Sequence, residues 1–233
     1  GDPPPAVADQ QAVVIAGHGV GLVVESARID GLHAKLSEAG FLEPLPAIRA
    51  FVRESFVRLG QEGAQVGSGY AARPQDHIFP AYREHVVARI RGVDPMRIIE
   101  ILRGLDHGGW DPKEHGNFHL YTLVIASQTL HATGYAMGIG LDGTSGTGDA
   151  QRDEAVMVYF GDGATSQGDA SEALVFAASY ETPQVFFLQN NHWAISVPVS
   201  TQSRTPLYRR AAGFGIPSLQ VDGNDVLASY AVT

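Results

Sequence analysis

The 233-residue chain contains no cysteine, which excludes a disulfide framework and is compatible with a reducing compartment. It also lacks any run that approaches the ~20 apolar residues of a membrane-spanning helix. Basic residues are scarce, and the net charge of -9 argues against a nucleic-acid-binding surface. The start, GDPPPAVADQQ, is acidic and poor in arginine, unlike a secretory signal or a transit peptide. These absences predict a cytoplasmic protein that binds neither membranes nor nucleic acids.

The length suffices for one α/β domain with a sizeable core. We predict a boundary before Leu59. Residues 1–58 form an amino-terminal extension with a helical segment that Pro44 and Pro46 interrupt. Residues 59–233 form the main domain, in which apolar spacing predicts several helices and strands.

One stretch of the main domain predicts a strand, a helix and a second strand. Residues 155–160 and 184–188 are short apolar runs, typical of strands that are buried on both faces. Residues 169–180 lie between them and have helical spacing, with Asp169 and Glu172 in the positions of a capping box. Such a unit builds a parallel sheet, and it brings whatever follows the two strands to the same edge.

Polar residues and glycines follow both of these strands. Asp162 comes directly after the first strand and Asn191 after the second, so both lie where ligands bind in open α/β sheets. Carboxylate and amide oxygens suit magnesium or calcium better than zinc. Gly161 and Gly163 let the backbone approach a ligand closely. A helix that begins near residues 165–169 directs its positive end at the same place, as in sites that bind a diphosphate.

The pattern of GDG, a helix and NN resembles the diphosphate motif of thiamine diphosphate enzymes. The wider sequence resembles the alpha subunit of the decarboxylating first component of bacterial 2-oxo acid dehydrogenase complexes, of the branched-chain and pyruvate type. The resemblance covers residues 59–232. The blocks that carry it are GQEGAQVGSGYA, FPAYREH, HGGWDP, SQTLHATGYAMGIG, GDGATSQGD, EALVFAASY, QNNHWAISVP and VDGNDVLA.

The resemblance implies an α/β fold with a mainly parallel sheet and helices on both faces, the thiamine diphosphate-binding fold. It implies oxidative decarboxylation of a 2-oxo acid and acyl transfer to a lipoyl group, with this chain holding the diphosphate and magnesium. The blocks QNNHWAISVP and SQTLHATGYAMG favour a branched-chain substrate over pyruvate. Two alternatives stay open at this point: an acetoin dehydrogenase-type alpha subunit, and a non-catalytic piece that assembles without a complete site.

The resemblance also implies roles for individual residues. The cofactor contacts that it implies are Tyr82, Arg83, Ile125, Gly161, Asp162, Gly163, Ala164 and Asn191. Magnesium would be held by Asp162, by the side chain of Asn191 and by the backbone carbonyl of Trp193. Ser127 and Gln128 match a potassium site of relatives, in which the residues corresponding to Val124 and Ala126 are often proline and glycine.

Four further positions carry expectations of their own. Gln189 stands where some relatives have a second phosphate-binding arginine, so the phosphate should be held less tightly here, or should be held instead by Arg83 and the histidine-bearing loop of the family. Asn190 should brace the turn after the second strand through its side chain. His131 is expected to be a buried histidine of a core helix, and Phe176 is expected to be core.

The implied catalytic groups lie outside this chain. In the family, the glutamate that activates the aminopyrimidine ring is on a beta subunit, and a histidine-bearing loop that closes over the diphosphate follows the position of Thr233. We therefore expect a beta subunit as partner, in an assembly of two alpha and two beta chains. A lipoyl-bearing acyltransferase component and a small 2-oxo acid complete the expected partners.

Overall fold

The structure is a computed structural model that describes residues 11–16, 61–106 and 109–233. The predictions for residues 1–10, for residues 17–60, and for the helical segment interrupted by Pro44 and Pro46 therefore lie outside the described residues. The domain boundary before Leu59 stays a prediction.

Seven strands are present in the described residues. They are β1 (Gln11–Ala16), β2 (His77–Phe79), β3 (Val156–Gly161), β4 (Gln184–Asn190), β5 (Trp193–Ala194), β6 (Val197–Pro198) and β7 (Ser218–Asp222). Five of them form one sheet in the order β2-β3-β4-β1-β7. Strands β2, β3 and β4 are parallel, whereas β1 is antiparallel to both of its neighbours. Strands β5 and β6 form a small antiparallel pair directly after β4.

Eight α-helices accompany the strands in the same described ranges. They are α1 (Glu62–Ala71), α2 (His85–Ile90), α3 (Pro95–Leu102), α4 (Ser127–Asp142), α5 (Gly168–Ser179), α6 (Val199–Gln202), α7 (Leu207–Arg210) and α8 (Val226–Val232). Short 3-10 helices cover Pro112–His115, Asp162–Ser166 and Ala211–Phe214. None of these described helices is long and apolar enough to cross a membrane.

The sheet is buried on both faces at β3 and β4, where residues 156–160 and 185–188 are apolar. On β3, Val158 and Phe160 pack into one hydrophobic cluster, whereas Met157 and Tyr159 pack into another on the opposite face. Helices α4 and α5 contribute to the first cluster, and α1, α2 and α3 to the second. This is the predicted α/β fold with a mainly parallel sheet and helices on both faces. Continuous apolar strands are typical of parallel sheets covered in this way.

The predicted capping box at the start of α5 is wrong. Helix α5 begins at Gly168, its N-cap is Gln167, and no side chain caps it. Asp169 therefore lies in the first turn, where its carboxylate interacts with the positive end of the helix dipole instead of capping it. The 3-10 helix that precedes α5 moves the start of the α-helix by one residue, and this shift removes the capping geometry.

Two residues that were expected to be buried are exposed. Phe176 on α5 is 44% exposed and stacks on Tyr180, and His131 on α4 is also exposed. The sheet is covered by small residues of these helices, such as Ala132 on α4 and Ala173 on α5. Both helices are apolar around most of their circumference, so helical spacing could not identify the face that packs on the sheet.

Candidate functional site

A cleft of about 180 Å³ lies where β3 and β4 end at their carboxyl termini. Its lining residues are Gln61, Ala81, Tyr82, Arg83, Glu84, Thr122, Ile125, Ala126, Gln128, Gly161, Asp162, Gly163, Ala164, Gln189, Asn191, Trp193, Ala194 and Ile195. The cleft thus brings together every cofactor contact predicted from the sequence, along with Gln128 and Trp193. Ser127 does not line it and begins α4 beside Ala126.

Two glycines line the cleft at the end of β3. Gly161 is the last residue of β3, and Gly163 lies in the 3-10 helix that follows. A Cβ atom built on Gly163 would lie 2.8 Å from the Cβ atom of Ala194, so a larger residue would displace the β5 strand. Glycine at this position therefore lets β5 pack closely on the 3-10 helix.

Asp162 is the buried charge of the cleft. It is 2% exposed, and its Oδ2 atom accepts a hydrogen bond from Nε2 of Gln202 at 3.0 Å. Within the described ranges, no lysine, arginine or histidine forms a salt bridge with it. The Gln202 amide is neutral, so its hydrogen bond does not neutralise the negative charge of the buried carboxylate. A bound cation would neutralise this charge.

The two asparagines at the end of β4 make parallel local contacts. Oδ1 of Asn190 accepts a hydrogen bond from the backbone N–H of His192 at 2.9 Å, which is the brace expected for this residue. Oδ1 of Asn191 accepts one from the backbone N–H of Trp193 at 3.0 Å. A carboxamide oxygen has two lone pairs, so Asn191 retains one for a cation.

The donor set around Asp162 fits magnesium bound together with a diphosphate. Asp162, Asn191 and the Trp193 carbonyl offer hard oxygen atoms, which magnesium prefers. Among the residues that the structure describes, no group of three or more His, Cys, Asp or Glu side chains could hold a metal ion alone. A metal at this cleft would therefore need oxygen atoms from its ligand, which is how magnesium binds phosphates with few protein ligands.

The segment before α2 forms a second wall of the cleft. Tyr82 and Arg83 lie side by side there, and the Arg83 guanidinium lies 5.1 Å from the centre of the Tyr82 ring. The backbone carbonyl of Arg83 accepts a hydrogen bond from Nε2 of Gln65 on α1 at 3.2 Å. This contact fixes the backbone, while the guanidinium is exposed.

Two non-glycine residues that line the cleft have positive φ angles. Ala126 has φ 72° at the start of α4, and Ile195 has φ 57° after β5. Ile195 is 99% exposed, and Ile125 beside Ala126 is 45% exposed, so apolar side chains lie at the surface here. Non-glycine residues in this conformation are strained, and such strain concentrates at functional sites.

Ser127 and Gln128, the two predicted potassium ligands, begin α4. The Ser127 Oγ atom donates to the Val124 carbonyl at 2.9 Å and lies 2.9 Å from Oγ1 of Thr122. The Gln128 side chain donates through Nε2 to the Tyr159 carbonyl at 2.9 Å. Its Oε1 atom is buried and has no hydrogen-bond partner in the described part of the chain. A buried carbonyl oxygen of this kind requires an explanation, and a cation would supply one.

Glu84 and Gln202 belong to the site but were not predicted from the sequence. Glu84 is 1% exposed, and its Oε1 atom accepts a hydrogen bond from Nε2 of Gln189 at 2.6 Å. Burial raises the pKa of Glu84 to about 7, against the opposing effect of the Gln189 hydrogen bond. The position of Glu84 directly after Arg83 in the sequence was the signal that could have identified it as a residue of the site. Gln202 reaches Asp162 from forty residues away in sequence, and no local pattern indicates that contact.

The chain is similar in sequence to known proteins over most of its length. The family described as "Dehydrogenase E1 component" matches residues 49–233. The chain is 46% identical over 177 residues to the 3-methyl-2-oxobutanoate dehydrogenase subunit alpha of Mycobacterium tuberculosis, covering 74% of this chain and 45% of that protein. It is 38% identical over 176 residues to the pyruvate dehydrogenase E1 component subunit alpha of Acholeplasma laidlawii, covering 75% of this chain and 48% of that one. It is 36% identical over 182 residues to the mitochondrial 2-oxoisovalerate dehydrogenase subunit alpha 2 of Arabidopsis thaliana, covering 74% and 37%.

The chain thus spans less than half the length of each of these relatives. The family match begins before Leu59 and includes the whole cleft. A match over most of the chain, together with the cleft at the ends of β3 and β4, shows that the chain belongs to the dehydrogenase E1 component family.

Proposed function

We propose that this chain is part of the alpha subunit of a thiamine diphosphate-dependent 2-oxo acid dehydrogenase, with a branched-chain 2-oxo acid favoured over pyruvate as substrate. The reaction is oxidative decarboxylation followed by acyl transfer to a lipoyl group. The observation that carries the proposal is the convergence of the predicted cofactor contacts in one cleft. The 46% identity to a 3-methyl-2-oxobutanoate dehydrogenase subunit alpha supports the branched-chain preference.

Different residues of the cleft bind the metal ion and the diphosphate. Asp162, Asn191 and the carbonyl of Trp193 hold magnesium, which neutralises the buried carboxylate. The backbone of Gly163 and Ala164 approaches the diphosphate. Arg83 supplies a planar, forked donor suited to a phosphate group. Gln189, in place of an arginine, adds no second positive charge.

Dehydrogenase E1 components depend on thiamine diphosphate, which supplies the electron sink for decarboxylation when it is bound. We infer that this chain holds the diphosphate end, and that Ile125 packs against the neighbouring ring. The remaining part of the cofactor then needs another chain.

We propose a beta subunit as the chain that binds the remaining part of the cofactor. Alpha subunits of these complexes work with a beta subunit, and we propose two alpha and two beta chains here. Apolar side chains on α4 and α5, such as Leu141 and Phe176, are exposed in this chain, which supports a surface that a partner subunit covers. The lipoyl-bearing acyltransferase component is the second partner, and the 2-oxo acid is the small substrate. The cytoplasmic location stays a prediction.

Potassium is a further part of the proposal. Support comes from the buried Oε1 atom of Gln128, which has no hydrogen-bond partner among the described residues. The hydroxyl group of Ser127, the preceding residue, lies 2.9 Å from that of Thr122. If potassium binds there, replacing potassium by sodium should lower the thermal stability of the protein. Gln128→Leu should remove that difference. Equal stability in both salts would contradict the potassium site.

Co-expression of the full-length protein with its beta chain tests the function. The expected result is turnover of 3-methyl-2-oxobutanoate with thiamine diphosphate and magnesium, at a higher kcat/KM than for pyruvate. Preferred turnover of acetoin would replace the proposal by the acetoin dehydrogenase alternative. An assembled complex that binds no cofactor and turns over none of these substrates would favour the non-catalytic alternative.

A further inference from the structure

Gln202 on α6 is a hydrogen-bond donor to Asp162, and the proposed function gives it no role. Its Nε2 atom donates to Oδ2 of Asp162 at 3.0 Å and to the backbone carbonyl of Val197 at 3.2 Å. Its Oε1 atom accepts a hydrogen bond from the hydroxyl group of Ser166 at 3.4 Å. Both N–H groups of the carboxamide and one lone pair of its oxygen therefore have partners.

These contacts allow only one orientation of the Gln202 carboxamide. If its oxygen and nitrogen atoms were exchanged, the oxygen would lie 3.0 Å from the Asp162 carboxylate and 3.2 Å from the Val197 carbonyl. Three acceptors without a hydrogen between them repel one another, so the exchanged orientation is unfavourable. The network therefore fixes an N–H group of Gln202 on Asp162.

Gln202 also connects the two parts of the chain that supply the proposed metal ligands. The 3-10 helix Asp162–Ser166 follows β3, and Gln202 contacts both of its end residues. Val197 begins β6, which pairs with β5, the strand that contains Trp193. One side chain thus links the segment after β3 to the segment after β4.

The hydrogen bond from Gln202 makes the two carboxylate oxygen atoms of Asp162 unequal. Oδ2 accepts from Gln202, whereas Oδ1 accepts no hydrogen bond from the residues that the structure describes. Asp162 is only 2% exposed, so the surrounding atoms and the hydrogen bond together restrict rotation of the carboxylate. Oδ1 is therefore the oxygen atom that remains for a cation.

Magnesium and calcium differ in the carboxylate geometry that they accept. Magnesium requires nearly ideal octahedral geometry, with oxygen atoms at about 2.0–2.1 Å. Calcium accepts irregular geometry at about 2.3–2.6 Å and binds carboxylates through one or both oxygen atoms. A carboxylate that offers one oxygen atom in a fixed direction therefore suits magnesium, whereas one that can turn and offer both suits calcium.

We propose that Gln202 is a positioning residue that reserves Oδ1 of Asp162 for the cation and thereby makes the cleft prefer magnesium to calcium. The inference rests on the proposed function, because that function places the metal ion on Asp162. The other two proposed ligands, Asn191 and the Trp193 carbonyl, are neutral. The orientation of the one charged ligand should therefore affect the bound cation most.

The test is calorimetric titration of thiamine diphosphate into the full-length protein with its beta chain, once with saturating magnesium and once with saturating calcium. Gln202→Met keeps the length of the side chain and removes both N–H donors. Gln202→Glu keeps an oxygen atom for Ser166, but its carboxylate cannot donate to Asp162. Ser166→Ala is the matched control, because it removes a contact between α6 and the 3-10 helix and keeps the donor to Asp162.

We expect the unchanged protein and Ser166→Ala to bind the cofactor more tightly with magnesium than with calcium. Gln202→Met should lose about tenfold in affinity with magnesium, as is typical when a group that orients a metal ligand is removed. It should lose less with calcium, so the ratio of the two affinities should fall. In Gln202→Glu the added charge attracts either cation, so only the ratio is compared, and it should fall as well. Either Gln202 variant suffices if the other does not fold.

Three results would overturn the inference alone. They are equal affinities of the unchanged protein with the two metals, an unchanged ratio in a folded Gln202 variant, and a fall in the ratio for Ser166→Ala as large as that for Gln202→Met. The last result would assign the preference to the packing of α6 instead of the donor. If the unchanged protein bound no cofactor, or bound it without a divalent ion, the proposed metal site and this inference would both be wrong.

Discussion

Asp162 and Glu84 line the same cleft, but their carboxyl groups have different environments. Asp162 accepts a hydrogen bond from Gln202 and lines the cleft together with Asn191 and Trp193, the other two residues proposed to bind the cation. Glu84 is buried against Gln189, and no described cation forms a salt bridge with it. The first environment suits a charged metal ligand, whereas the second suits a neutral acid.

The role of Asp162 can be tested by two substitutions. Asp162→Ala removes the carboxylate, and Asp162→Asn keeps its shape and an oxygen for Gln202 while removing the charge. Both should weaken magnesium-dependent binding of thiamine diphosphate by at least about tenfold, because the metal loses its only charged protein ligand in the cleft. Titration calorimetry of the assembled full-length protein measures the affinity. Unchanged affinity in a folded Asp162→Asn variant would remove the metal assignment.

Arg83 should contribute through the geometry of its guanidinium as well as its charge. Arg83→Lys keeps the charge but loses the planar fork, so we expect an intermediate loss of cofactor affinity. Arg83→Ala should cost more, roughly 1–3 kcal/mol of binding free energy, as is typical of hydrogen bonds to charged groups. The same calorimetric titration compares them, with Arg89→Ala on the exposed side of α2 as control. If both Arg83 variants bind like the control, Arg83 is a surface residue without this role.

From the pair His77 and His119 we predict that the fold loses stability at acidic pH. Nδ1 of His77 lies 3.1 Å from Nε2 of His119, and His119 stacks on Phe79 with 3.9 Å between ring centres. Burial, the largest cause, lowers both pKa values to about 4. The unfolded chain therefore binds more protons than the folded chain between pH 6.5 and about 4. The stabilising effect of the neutral histidines is fully present above pH 6.5, and the free energy of unfolding should decrease as the pH falls from 6.5 to about 4.

His119→Phe keeps the stacking on Phe79 and removes one titrating ring. We expect the decline in the free energy of unfolding across that window to become smaller by roughly 1 kcal/mol, a discounted figure because solvent reaches part of the ring. Urea denaturation at several pH values measures it, and comparison with the unchanged chain cancels the other titrating groups. An unchanged pH dependence would mean that the pKa of His119 is the same in the folded and the unfolded chain.

At the scale of elements, the sequence predicted β3, α5 and β4 because their signals are local. Apolar runs mark the strands, and the residues after them identify the cleft edge. Strand β1 was not predicted, since it pairs antiparallel with β4 and β7 from a distant part of the chain. The partners of Asp162 and Glu84 were missed for the same reason. Long-range pairings depend on the assembled fold, and single-sequence patterns carry little information about them.

Helices α1 and α8 pack unusually closely, and this contact predicts a large effect of a small substitution. A Cβ atom on Gly67 would lie 2.5 Å from the Val226 carbonyl oxygen and 2.6 Å from the Cβ atom of Ser229. Gly67→Ala should therefore destabilise the fold by about 1–3 kcal/mol, as overpacking does. Thermal or urea denaturation measures this cost.

Gly134 on α4 provides the matched control, because a Cβ atom there would meet no described atom within 4 Å. Gly134→Ala should stabilise the chain by about 0.5–1 kcal/mol, since alanine loses less backbone entropy in a helix. If the two substitutions had the same effect, the close packing of α1 on α8 would not explain the glycine at position 67.

At the scale of the whole molecule, α4 and α5 present apolar surface away from the sheet. Tyr135 and Leu141 on α4 are 39% and 87% exposed, and Val175 and Phe176 on α5 are 47% and 44% exposed. Both helices cover the sheet with small residues on their other faces. The helices are therefore apolar on two faces, one of which the described residues leave uncovered. Such surfaces mark interaction sites, and we propose that the beta subunit covers this one.

The last prediction is that the 233-residue chain alone does not decarboxylate a 2-oxo acid. We propose that its cleft holds the diphosphate and a metal ion, and we expect the glutamate that activates the other end of the cofactor to lie on the beta subunit. The cleft is also open to water, whose exclusion protects reactive intermediates. The measurement is carbon dioxide release from 3-methyl-2-oxobutanoate with thiamine diphosphate and magnesium, with and without the beta chain. Sustained turnover by the chain alone would show that one subunit forms a complete site, and that the exposed faces of α4 and α5 have another purpose.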